Sequence, residues 1–189
     1  MTFHSSREVV LASGSPSRHR LLLSCGIKPA VLVSGVDEED PDLISLPPSE
    51  MVLALAILKA HTVRPKVGAN HLIIGCDSTF EFQGESLGKP LTIDNAISRC
   101  RSLRNNFGLL HTGHCVIDTQ NNIEYSDIST SKVFFADMSD EEIESYVMSS
   151  EPLDVAGGFT LDGLSAPFIE RVEGDPTGII GLSLPLLRR

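Results

Sequence analysis

The sequence predicts an α/β fold built on a mixed sheet. Two observations lead there. Short apolar runs with strand chemistry alternate with helical stretches over the first half of the chain. Two long strand-like runs, 109–118 and 123–135, then follow back to back, as an antiparallel pair would. No repeat or low-complexity segment interrupts the pattern. The 189 residues suit one domain over 1–189, long enough to bury a sizeable core.

Glu8-Val9-Val10-Leu11 reads as the first strand. Ser15 is a suitable N-cap and Pro16 a suitable first helical residue, so a helix follows. Leu21, Leu22 and Leu23 supply its buried side, and Gly26 ends it. A second strand covers 29–33, and 41–48 is a Pro-rich acidic connection. Residues 49–63 form a helix with Met51, Leu55, Leu58 and Thr62 on one side and Lys59 late in it. A short buried strand covers 72–76, and 80–87 reads as a hairpin through Gln83-Gly84-Glu85. Thr92 caps a helix over 92–103. Ser139-Asp140-Glu141-Glu142 is a capping box opening a helix to Met148. Two short strands are expected after Pro152, a loop over 174–181, and at most a short terminal helix beyond Leu187.

Composition narrows the function. The formal net charge of −10 argues against broad nucleic-acid binding and repels polyanions at long range. A polyphosphate site would therefore be a local basic pocket aided by a divalent cation. Cys25, Cys76, Cys100 and Cys115 are widely spaced, with no CxxC pair for zinc or redox chemistry. Cys76 and Cys115 lie in apolar runs and read as buried reduced thiols. No leader-like apolar stretch opens the chain and no run reaches transmembrane length, so a cytoplasmic protein without membrane contact is expected. His111 and His114 fall on opposite faces of one strand and make a poor metal pair. A P-loop NTPase is excluded, since GxxxxGK[ST] does not occur.

The strand–loop–helix over 8–24 carries the sharpest chemistry. Its small-residue turn, Ser13-Gly14-Ser15, aims backbone N–H groups, two hydroxyls and the guanidinium of Arg18 at one point, which suits an anion such as phosphate. Leu11-Ala12-Ser13-Gly14-Ser15-Pro16-Ser17-Arg18 resembles the N-terminal signature of the Maf family of nucleoside triphosphate pyrophosphatases. The resemblance continues in the family's order through Ser34-Gly35-Val36-Asp37-Glu38, Lys59-Ala60, Ile74-Gly75-Cys76-Asp77-Ser78 and Leu87-Gly88-Lys89-Pro90. Leu110-His111-Thr112-Gly113, Glu151-Pro152-Leu153-Asp154, Ala156-Gly157-Gly158-Phe159, Phe168-Ile169-Glu170-Arg171 and Gly181-Leu182 complete it.

The resemblance implies an elongated twisted sheet flanked by helices, with two lobes around a central cleft. It implies hydrolysis of a nucleoside triphosphate, standard or non-standard, to the monophosphate and pyrophosphate, with a divalent cation (Mg²⁺ or Mn²⁺). Asp77, placed just past a strand end, matches the proton acceptor and a metal ligand, and Glu38 a second metal ligand. Read on their own, Asp77 is a cap or turn residue and Glu38 part of a solvated acidic run. Ser13, Ser15, Arg18, Lys59 and Lys89 match phosphate contacts, where plain readings of Lys59 and Lys89 are a helix-end cation and an exposed turn. Ser17, Ser78 and Asp162 stand where family branches differ in base choice. As an acceptor, Asp162 would suit the N–H donors of a purine, and small Ser17 leaves room for one. Arg20 replaces a common Glu. A homodimer is entertained. The alternative is a nucleotide-binding regulator of septum formation with little turnover, distinguished by metal-dependent pyrophosphate release.

Overall fold

Strand β1 (Glu8–Leu11) forms where the sequence places it and pairs in parallel on both edges. One neighbour is β2 (Ala30–Val31), shorter than the 29–33 expected, and the other is β3 (His71–Phe82). The computed structural model, which describes residues 7–189, continues the sheet antiparallel from β3. Hairpin strand β4 (Glu85–Leu87) pairs with the far half of β3, turning at Gln83 and Gly84. On the other edge come β5 (Phe107–Asp118), β6 (Ile123–Phe135) and β7 (Ile169–Glu173). The seven strands run β2-β1-β3-β5-β6-β7, with β4 beside β3.

Helix α1 (Pro16–Ser24) opens as expected, with the Ser15 side chain accepting from the Arg18 N–H. It closes through Gly26, whose φ of 85° suits glycine, with Ile27 N donating to Leu22 O at 2.9 Å. Leu22 is fully buried, but Leu23 is 44% exposed, so the three leucines do not share one face. The acidic connection contains a short helix, α2 (Pro41–Ile44), because Asp40 caps it and Pro41 stands at its first position.

Helix α3 (Pro48–Val63) buries Val52, Leu55, Ala56, Lys59, Ala60 and Val63, not the side bearing Leu58, which is 41% exposed. Two glycines bring it onto the sheet. A Cβ on Gly75 would stand 2.2 Å from the Ala56 carbonyl, and one on Gly113 2.2 Å from that of Val52. Glycine alone permits this approach, which carries Lys59 onto β3.

Helices α4 (Ile93–Leu103) and α5 (Asp140–Met148) keep their expected caps, Thr92 and the Ser139–Glu142 capping box. After Pro152 there is one strand, β7, rather than two; the small residues form 3₁₀ turns instead. The 174–181 stretch contains α6 (Pro176–Ile180), capped by Asp175, and α7 (Leu184–Arg188) follows.

Side-chain alternation along β3 sorts the layers. Ile73 packs with α3 through Ala56, Ala60 and Val63. Ile74 and Cys76 face the other way, toward Leu22 and Leu182. Phe80, on that same face, joins α4 and α5 in a third cluster, where its ring meets Phe135 and Phe159 edge-on at 5.8 and 4.9 Å. All four cysteines are free thiols. Burial pushes the Cys76 and Cys115 thiols up to about 12, so both stay protonated. Among the described residues no helix is long and apolar enough to cross a membrane.

Candidate active site

β1 stops at Leu11, opposite Ile74, while β3 runs on to Phe82. The next residues of β3 therefore stand beside the carboxyl end of β1, where the chain leaves for α1. The chain crosses from β1 to β2 on one side, and from β2 back past β1 to β3 on the other. Such a switch point opens a crevice at the strand ends. Asp77 and Ser78 flank it from opposite faces of β3. Asp77 thus lies inside a long strand, paired with Gly113, rather than past the end of a short one.

On the α3 face, Lys59 Nζ donates to Asp77 Oδ1 at 2.6 Å and lies 2.5 Å from Glu38 Oε1. The Lys59 side chain is 5% exposed, that of Asp77 11% and that of Glu38 57%. The ammonium is therefore a buried bridge between the two carboxylates. Asp77 Oδ2 makes no hydrogen bond among the described residues. Burial pushes the Asp77 carboxyl above its ordinary value, against the pull of Lys59 and Arg18, with Glu38 adding to the rise.

On the α1 face, buried Arg18 is held by neutral groups. Nε donates to the Gly181 carbonyl at 2.8 Å, Nη1 to Ser13 Oγ at 2.8 Å and Nη2 to Ser78 Oγ at 3.1 Å. Ser78 Oγ is 2.9 Å from Thr112 Oγ1, which donates to the Gly178 carbonyl. Arg18 makes no ion pair among the described residues. A buried guanidinium without a carboxylate is a strong anion site, and one N–H on each terminal nitrogen remains to be used. The Ser15 N–H turns inward to Ser13 Oγ at 3.3 Å, while those of Ser13, Gly14 and Ser17 meet no acceptor among the described residues. The start of α1 adds the positive end of its dipole.

The structure thus brings together Ser13, Ser15, Arg18 and Ser78, and beside them Lys59, Asp77 and Glu38. Ser78 belongs with Arg18 rather than with Ser17 and Asp162. Those two meet at Arg20, whose Nη2 donates to Ser17 Oγ and to Asp162 Oδ2, both at 3.0 Å. Thr160 Oγ1 donates to Asp162 Oδ1 at 2.6 Å. Burial raises the Asp162 carboxyl, but the Thr160 and Arg20 hydrogen bonds outweigh it and hold the group below its ordinary range. The carboxylate expected to await a base is engaged on both oxygens. Lys89 is exposed beyond β4 and makes no hydrogen bond or ion pair with these residues.

Sequence reasoning missed Arg20, Thr112 and the carbonyls of Gly178 and Gly181. Carbonyl partners carry no sequence signal. The two histidines part as their spacing requires. His111 lies 2.9 Å from Glu81, whereas His114 Nε2 accepts from the Ser183 N–H at 2.8 Å.

No group of three or more His, Cys, Asp or Glu suited to a metal occurs among the described residues. Asp77 and Glu38 nevertheless converge on one cationic position. Two carboxylates suit Mg²⁺ where phosphate oxygens and water complete its shell.

A relative from Streptomyces coelicolor named nucleoside triphosphate pyrophosphatase is 50% identical, over 100% of this chain and 91% of its own. One of the same name from Salinispora tropica is 49% identical, over 96% of this chain and 81% of its own. A nucleoside-triphosphatase / dITP/XTP pyrophosphatase structure from Mycobacterium abscessus is 14% identical, covering 69% of this chain and 75% of that one, with a TM-score of 0.42. The family model described as Maf-like protein matches residues 8–189, and the chain belongs to that family.

Proposed function

We propose that this chain hydrolyses a nucleoside triphosphate to the monophosphate and pyrophosphate by attack of water at the α-phosphorus. The observation that carries this reading is the buried, carboxylate-free Arg18 at the start of α1, held by Ser78, the neighbour along β3 of a buried, basic Asp77. The names of the relatives at 49% and 50% identity agree with it.

The N–H groups of Ser13, Gly14 and Ser17 and the free donors of Arg18 bind phosphate oxygens. Arg18 is fixed on three sides and pays little ordering cost when substrate arrives, so the charge it offers is preorganised. Asp77 Oδ2 holds the attacking water and takes its proton, while Lys59 fixes Oδ1 and so the plane of the carboxylate. Burial makes Asp77 a stronger base than an exposed aspartate. A divalent cation, Mg²⁺ or Mn²⁺, held by Asp77 and Glu38 would neutralise charge on the phosphate oxygens and the leaving pyrophosphate. Catalysis is then mostly positioning and charge stabilisation.

The test is Asp77→Asn, which keeps shape and removes both charge and basicity. Pyrophosphate release should fall by more than about 100-fold in kcat in a variant that still unfolds cooperatively, at a lower midpoint because Lys59 loses its buried partner. Near-normal release from a folded variant would remove Asp77 from the mechanism.

A further inference from the structure

The sheet face shared with α1 is left partly bare. Leu72 and Ile74 of β3 and Val116 of β5 floor a cavity of about 1000 Å³. Ile27, after α1, forms one wall, and Leu184 and Leu187 of the short α7 form the other. That volume is the size of a small-molecule pocket. No aromatic side chain lines it, so its walls suit a flexible aliphatic body and offer no ring on which a nucleobase could stack.

The mouth is cationic. Arg7, Lys28 and Arg188 all border it. Arg7 pairs with Asp118, and the bordering Glu8 pairs with His71. Lys28 and Arg188 make no ion pair among the described residues. They come from the segment after α1 and from α7, the two elements that wall the cavity. In a chain of net charge −10, two unpaired cations at the rim of an apolar cavity set the charge of what it accepts.

We propose that this cavity binds a small amphiphilic anion, an aliphatic chain with a carboxylate or similar head, its tail on Leu72, Ile74 and Val116 and its head at Lys28 and Arg188. The ligand is separate from the proposed nucleotide. Tail burial supplies affinity, about 0.8 kcal/mol for each methylene removed from water, and the two cations supply the preference for an anionic head.

Cys25 lines the same cavity and is half-buried, whereas Cys76, Cys100 and Cys115 are buried. Its labelling by a small maleimide therefore reports occupancy without reference to catalysis. The full chain is titrated with decanoate below its critical micelle concentration, and in parallel with 1-decanol and decyltrimethylammonium. Decanoate should slow Cys25 labelling about tenfold at about ten times its Kd, by mass action, with weaker protection from decanol and least from the cation. In the surface double variant Lys28→Glu/Arg188→Glu, decyltrimethylammonium should become the better protector. Equal protection by all three amphiphiles, or none by decanoate, would overturn the proposal. So would protection produced by raising the protein concentration alone, with dimers seen by sedimentation, because the occupant would then be a second copy.

Discussion

Replacing Lys59 by Met removes the cation shared by Asp77 and Glu38 while leaving an apolar stem among Val52, Ala56, Ala60 and Val63 on the buried face of α3. The two ion pairs differ in worth. Asp77 is 11% exposed, and breaking a buried pair from one side leaves an unpaired charge at a cost of about 3–5 kcal/mol. Glu38 is 57% exposed, and such a pair contributes about 0–1 kcal/mol. Lys59→Met should therefore destabilise the fold by roughly 3 kcal/mol at neutral pH, nearly all of it through Asp77. Urea unfolding of a double-mutant cycle checks this. Coupling between Lys59→Met and Asp77→Asn should be about 3 kcal/mol, and that between Lys59→Met and Glu38→Gln below about 1. The penalty also depends on pH. Without Lys59 the Asp77 carboxyl of the folded state is raised further above its unfolded value, so the variant loses stability as pH rises from the ordinary carboxylate range and regains it in acid. Equal coupling to both carboxylates, or a penalty independent of pH, would refute the buried-bridge reasoning.

Three further outcomes follow. Arg18→Ala should weaken triphosphate binding by about 1.5–3 kcal/mol, roughly 10- to 150-fold in Kd, with little effect on the nucleoside; equal losses would mean that Arg18 only ties α1 to Gly181. His114, whose pKa burial lowers from 6.5 to about 4, should contribute a stability loss of about 3 kcal/mol as pH falls between those values, because the unfolded chain takes up the proton first. His114→Gln should lack that increment in urea titrations across the range, and an unchanged pH profile would show that the ring titrates normally. Pyrophosphate release should have an acid limb above the ordinary aspartate range, because burial raises Asp77; a limb at the ordinary value would place the base elsewhere.

The helix starts were legible because their signals are local. Ser15-Pro16, Thr92 and Ser139 with Glu142 each satisfy N–H groups within one turn, and each cap forms. The extent of β3 was not legible. Its apolar run ends at Cys76, yet pairing with β5 carries the strand through Asp77, Ser78 and Thr79, so a tertiary partner sets its length. The phase of α3 was lost for another reason. That helix is apolar on nearly every side, so periodicity fixes no single buried face, and Gly75 and Gly113 decide it from another part of the chain. The stretch after Pro152 holds one strand where two are expected, because its small residues give little pattern and Gly157 and Gly158 take positive φ, which breaks extended backbone. At the site, the residue types of the Ser13 to Arg18 turn announced an anion pocket. The ties between Lys59 and Asp77 and between Arg20 and Asp162 span distant segments that no local motif connects.

Attack at the α-phosphorus is tested most directly by turnover in ¹⁸O-labelled water, with mass spectrometry of both products. If Asp77 Oδ2 delivers water to the α-phosphorus, one ¹⁸O enters the nucleoside monophosphate and the released pyrophosphate carries none. Label in pyrophosphate, or labelled orthophosphate as the first product, would place the attack on another phosphorus and contradict the account.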